Sequence, residues 1–403
     1  MKKLMTFALC AAAVGSMSAQ KVNVDNAKKL AGKLDKIEEA RSLIQEAIQN
    51  PETANEANTY YVAGKIEFDA YDKGQQAAMI NPEAANPVEM AQQLLSGYDY
   101  FLKALPLDSV PNEKGEVKPK VSKDIVGKIS GHVNDYFTAG ANMYEAKKYY
   151  PESYNAFIIY ADMPEQAFLG NKAPNIDEAN RAQAYFNAAL AAYTGNEVLK
   201  SADAFRAART HGFEDPNAYI YEIACWQNIM QKDSTMADTA QERIFEVANA
   251  GNEKFGMTQP IFLNNLVNTY VIDNNFDKAL ATVNALMEAN PDNANLYGLR
   301  GFVYDRAEND EASLADYRKA ASIADCDFET LKNAAKKIYR VGTEKFAAID
   351  PADQAAKMQI KQEYYDPAFE IAKRAKEMQP TDGDVQHVYD AIDYAITTYF
   401  PAN

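Results

Sequence analysis

Three histidines, His132, His211 and His387, are the side chains of this 403-residue chain best suited to proton transfer or metal binding near neutral pH. They are scattered. None stands four residues from a second ligand, the spacing that puts two zinc ligands on one face of a helix. Cys225 and Cys326 read as small buried apolar residues that do not pair, and Cys10 lies in the leader. The chain has no glycine-rich phosphate loop, no serine in a strand-to-helix elbow and no alternating acidic loop of the calcium type. Carboxylates are so abundant on helical stretches that pairing any two as acid and base carries no information. The reading is a non-catalytic protein without cofactor or metal.

The strongest pattern belongs to the elements that would position such residues. Leu263, Leu266, Val267 and Tyr270 are answered 34 positions later by Tyr297, Arg300, Gly301 and Tyr304, then by Leu331, Ala334, Ala335 and Ile338. A period of about 34 residues means stacked helix pairs, each hiding its apolar stripe only against the next. From Asp25 onward helices follow one another, with turns expected at Pro51, Pro82, Pro106, Pro151, Pro216, Pro291 and Pro380. Asn274 and Asn275 form one such turn, after which Phe276, Ala279, Leu280 and Val283 begin a second helix.

These residues resemble the tetratricopeptide repeat family, whose signature spaces small and aromatic residues as Gly301, Tyr304, Tyr317 and Ala320 are spaced here. Ser313 replaces the usual alanine at the close helix crossing, and Asp325 replaces the closing proline. Weaker units are legible at Tyr185, Ala188, Ala189, Ser201, Phe205 and Ala208, with Tyr219 following. Others stand at Tyr136, Ala139 and Gly140 with Ser153 and Phe157, and at Tyr60, Ala63 and Gly64 with Gly97, Phe101 and Ala104. Ala40, Ile44 and Ala47 resemble a lone second helix. The resemblance implies an all-α solenoid of stacked antiparallel helix pairs, a tetratricopeptide-like superhelix closed by a capping helix.

The expected organisation is a signal peptide over 1–20, an N-terminal helical segment over 21–124 and a main array over 125–403. The loop from Pro106 to Lys123 divides the last two. One unit, about 327–380, is elongated, because Ala368, Ala372 and Ala375 arrive 21 residues later than the period demands. Asp350 and Pro351 are expected to cap its second helix. The capping helix over 384–399 carries Val385, Val388, Tyr389, Ile392, Ala395, Ile396 and Tyr399 on one face.

Lys2 and Lys3, the uncharged run from Leu4 to Val14 and small residues to Ala19 form the expected secretory signal, cleaved near Ala19 or Gln20. Leu9 before Cys10 argues against a lipid anchor. The run is shorter than the ~20 residues of a membrane-spanning helix. With 57 acidic against 41 basic residues the formal net charge is −16, which disfavours nucleic acid and anionic lipid as partners. A periplasmic or secreted protein follows, its oligomeric state left open.

In the family that these repeats resemble, the first helix of each pair lines the concave surface. The resemblance therefore implies a groove of Phe186, Leu190 and Tyr193, then Ile220, Ala224 and Gln227, then Asn264, Asn268 and Val271. Gly298, Phe302 and Asp305 follow, then Lys332, Lys336 and Tyr339. Chaperone-binding members hold a peptide carboxylate with lysine and asparagine, and Asn264, Asn268, Lys332 and Lys336 resemble parts of such a clamp. Gly298 and Phe302 depart from that pattern. Most of the 25 tyrosines fall on packing stripes. The resulting expectation is a protein-interaction adaptor of a bacterial cell envelope that takes a peptide or protein in its groove. The alternative is an outer-membrane-associated glycan-binding protein, in which Phe186, Tyr193, Phe302 and Tyr339 would stack on sugar rings.

Overall fold

The computed structural model describes residues 21–400, so the expected leader over 1–20 lies outside the described residues. Those residues are helices joined by turns, with no strand among them. They form two compact units that divide at Ala240 and Gln241.

In the first unit residues 21–30 are helical. Their Val24 and Ala27 share a core with Ala40, Ile44 and Ala47 of α1 (Ile37–Gln49), so the helix expected to be lone has a partner. Next come α2 (Ala57–Ile80) and α3 (Pro87–Asp108), whose last turn contains Pro106, where a turn was expected. They interlock through a reciprocal exchange of sizes. A Cβ on Gly64 would lie 2.4 Å from the Phe101 ring and one on Gly97 2.7 Å from Phe68, while the two rings stack at 4.9 Å. Glycine is needed at both positions so that the axes approach closely enough to bury the rings.

The lysine-bearing loop after α3 is pinned at its far end. Asp108 accepts from the backbone N–H groups of Lys120, Val121 and Ser122 and from the Ser122 hydroxyl at 2.7–3.0 Å. Burial opposes the charge of Asp108, but these donors overcome it and hold the carboxyl below its usual pKa. The chain therefore continues in the same compact unit through α4 (Ser122–Gly131), α5 (Val133–Glu145), α6 (Tyr150–Asp162), α7 (Glu178–Thr194), α8 (Val198–Thr210) and α9 (Asn217–Lys232). The division between the two compact units lies near 240.

The second unit contains most of α10 (Ala237–Phe255), then the pairs α11 (Pro260–Ile272) with α12 (Phe276–Ala289) and α13 (Ala294–Arg306) with α14 (Asp310–Ser322). Their turns repeat down to single hydrogen bonds. Asn274 and Glu308 sit at φ 54° and 58°. Asn275 N–H donates to Tyr270 O and Asn309 N–H to Tyr304 O, and both asparagines then cap the next helix.

The serines at the close crossings have a common explanation. Ser153 donates to Gly140 O at 2.8 Å, Ser201 to Ala189 O at 2.9 Å and Ser313 to Gly301 O at 2.9 Å. Each is small enough for the crossing, and each satisfies its buried hydroxyl on the carbonyl of the facing first helix.

The elongated unit begins with α15 (Phe328–Ala348), 21 residues against 13 in α11 and α13. Its second limb runs through α16 (Gln354–Ile360), a π-helical turn Lys361–Tyr365 and α17 (Asp366–Met378). Asp353, rather than Asp350, caps it by accepting from Ala356 N–H, while Asp350 closes the preceding turn on Ala352 N–H. Pro367 does not break the limb. Having no N–H, it cannot bond the carbonyl four residues earlier, Glu363 O, which accepts instead from Arg318 Nη2 at 2.8 Å. Helix α18 (Gly383–Tyr399) closes the chain with Val385, Val388, Ile392 and Ala395 buried, and with Tyr399 exposed although it belongs to the expected apolar face.

Candidate functional site

In the first unit the expected groove residues lie on α7. Phe186 is partly buried, stacked on Phe213 at 4.4 Å and edge-on to Phe205 at 5.5 Å, so its ring serves packing. Leu190 is half-buried, and Tyr193 is 51% exposed.

In the second unit Asn264 and Asn268 are exposed on α11. Ile261 and Ile272 flank them, exposed on the same helical face at three- and four-residue steps. Val271, expected among the groove residues, is buried. The sequence reading missed Ile261, Ile272 and Asn295. The period itself could have found Asn295, which follows Ile261 by 34 residues. Its Oδ1 is buried and has no hydrogen-bond partner among the described residues.

Farther along, the first helices pack on each other where a ligand surface was expected. A Cβ on Gly298 would meet the Thr330 side chain at 2.4 Å, so Gly298 is a close crossing of α13 with α15. Phe302 is partly buried against apolar clusters on both sides.

The cationic half of the expected clamp is occupied from within the chain. Lys332 is 9% exposed and donates to Glu329 at 2.9 Å, with Asp382 at 3.8 Å and the Phe328 ring centroid at 4.8 Å. Burial opposes its charge, but Glu329, Asp382 and Asp384 outweigh that and raise its pKa. Lys336 bonds Asp384 at 3.2 Å. Tyr339 donates to Ala391 O at 3.3 Å and meets Tyr365 edge-on. All three fasten α18 to α15. The physical reason is that α18 lies where the first helix of a further unit would lie, and its opening turn brings Asp382 and Asp384 to the lysines. The structure thus brings Asn264 and Asn268 together and assigns Lys332, Lys336 and Tyr339 to the cap.

Two histidines are held by carboxylates. His132 lies 2.7 Å from Asp135 and 3.2 Å from Asp72, against the Phe68 and Tyr71 rings. Burial opposes its protonation, yet the bonds to Asp135 and Asp72 prevail and push its pKa up to about 9. A ring that is already protonated at neutral pH is not a general base. His211 bonds Glu178 at 2.5 Å and stacks on Tyr185. Among the described residues no group of three His, Cys, Asp or Glu side chains is placed to hold a metal ion, and no helix is long and apolar enough to cross a membrane.

No family model matches the chain, and no curated protein does. Solved structures similar to it include apo RapI, at 14% identity and a TM-score of 0.33, over 94% of this chain and 98% of that one. The TPR domain of P58(IPK) shows 13% identity and a TM-score of 0.29, over 95% and 100%. A thermophilic TPR protein of Thermus thermophilus shows 14% and 0.24, over 65% and 99%. Scores this low carry no weight about partner or activity. What does carry weight is internal to the molecule: helix pairs, serine-bonded crossings and turns repeating at 34 residues give this chain a tetratricopeptide-type all-α fold.

Proposed function

We propose that this chain is a non-catalytic adaptor of a bacterial cell envelope, holding a protein or peptide against the first-helix face of its second unit. The observation that carries the reading is the exposed stripe Ile261, Asn264, Asn268 and Ile272 on α11. Two amides flanked by apolar side chains suit an extended peptide, whose backbone needs both donors and acceptors while its side chains need apolar contact. The glycan reading is less well supported, because Phe186, Phe302 and Tyr339 contribute their rings to packing and only Tyr193 stays largely open.

Crosslinking capture from an envelope extract tests this, with the chain run beside Asn264→Arg/Asn268→Arg. These substitutions add bulk and charge on an exposed face and leave the core untouched. One protein enriched by the parent and lost by the variant is the expected result. Equal enrichment by both baits, or none alongside binding to a glycan array, overturns the reading.

A further inference from the structure

A cleft of about 680 Å³ lies on the first unit. Helix α3 supplies Gln92, Leu95, Ser96, Tyr98 and Asp99, α5 supplies Met143, and α6 supplies Glu152, Asn155, Ile158 and Ile159. It combines an apolar wall with two carboxylates and two amide carbonyls.

Several acids near the core of this unit are engaged. Asp72 is held by Lys128 and His132, Asp124 by Tyr61, and Asp135 by His132 and Gln75. Asp99 and Glu152 have no hydrogen-bond or ion-pair partner among the described residues. Although part of Asp99 is open to solvent, loss of water around its carboxyl raises its pKa, and Lys103 offsets this only partly. An unpaired carboxylate at the edge of such a cleft gains from a cation that donates hydrogen bonds to it.

We propose that this cleft is a docking site for an arginine side chain of a protein partner, with Asp99 and Glu152 accepting from the guanidinium and Met143, Ile158 and Ile159 walling its stem. Arginine fits better than lysine because its five donors in a planar fork match several acceptors at once, where an ammonium acts as a compact point charge. A partner protein fits better than a free amine. Gln92, Ser96, Asp99 and Asn155 are all exposed, so the mouth is wide. A small molecule would stay half-wet there, whereas a partner covers the rim around the side chain it presents. The formal net charge of −16 would also speed encounter with a basic partner.

The test is methyl NMR on the full chain, observing Met143, Ile158 and Ile159 during titration with N-acetyl-Gly-Arg-Gly-amide and with its citrulline twin, which keeps the shape without the charge. Saturable shifts with the arginine peptide are expected, with Kd on the order of 1 mM. Binding should weaken about tenfold or more with citrulline and equally in Asp99→Asn, with Glu152→Gln as a second isosteric variant. Shifts that do not saturate, equal binding of the citrulline peptide, or unchanged affinity in both variants would overturn the proposal. Either outcome leaves the α11 reading standing, because no residue is shared.

Discussion

At the scale of single residues, the structure rests on places where one atom more or one proton less is felt. Gly64 is one. Glycine inside a helix ordinarily costs about 1 kcal/mol relative to alanine, so Gly64→Ala would stabilise α2 if space allowed. The Phe101 ring lies 2.4 Å from where that methyl would sit, so the overpacking penalty prevails. Urea unfolding should show Gly64→Ala destabilised by roughly 1–3 kcal/mol. His132 is another. Its folded pKa of about 9 exceeds the ordinary 6.5, so its contribution is fully present below pH 6.5 and fades as pH rises through about 9. It amounts to about 3 kcal/mol at most, from 1.4 kcal/mol per tenfold change in proton affinity. His132→Gln should abolish that alkaline loss. A variant whose stability still falls between pH 6.5 and 9 as the parent's does would place the effect elsewhere.

At the scale of elements, two helices depend on side chains that a sequence reader would assign to the surface. The limb containing Pro367 stays helical through a π turn while Arg318 takes the carbonyl that the proline leaves unbonded. Removing that charged donor through Arg318→Gln should cost about 1–2 kcal/mol and raise hydrogen exchange over Lys361–Met378 first. Helix α18 is fastened by Lys332 and Lys336 through Asp382 and Asp384. Lys332→Ala/Lys336→Ala should therefore speed amide exchange across Gly383–Tyr399 while Pro260–Ile272 stays protected. Unchanged exchange in α18 would return these lysines to the list of free, ligand-facing cations.

At the scale of the whole molecule, the proposed envelope location rests on the first twenty residues, not on the helices. Expression in a bacterium should put the protein in the periplasmic or extracellular fraction, with a new N-terminus near Gln20. A full-length chain recovered from the cytosol would contradict the proposal, whatever the state of the groove. The proposed adaptor role suits the architecture, because stacked pairs present broad side-chain faces.

The helix pairs, the tight turn at Asn274 and Asn275, the long unit near 327–380 and the closing helix were all legible in the sequence. Each is local: its apolar period, turn chemistry and lateness by 21 residues lie within neighbouring stretches of chain. The exposed amides Asn264 and Asn268 were legible for the same reason, being placed by the repeat alone. The fate of Lys332, Lys336 and Tyr339 was not, because it depends on Asp382, Asp384 and Ala391, 48 to 52 residues away from Lys336 and Tyr339, and on which face α18 covers. Period identifies the face that a residue occupies. Only tertiary packing decides whether that face meets solvent, a partner or the chain's own next helix, because burial and pairing are properties of neighbours in space.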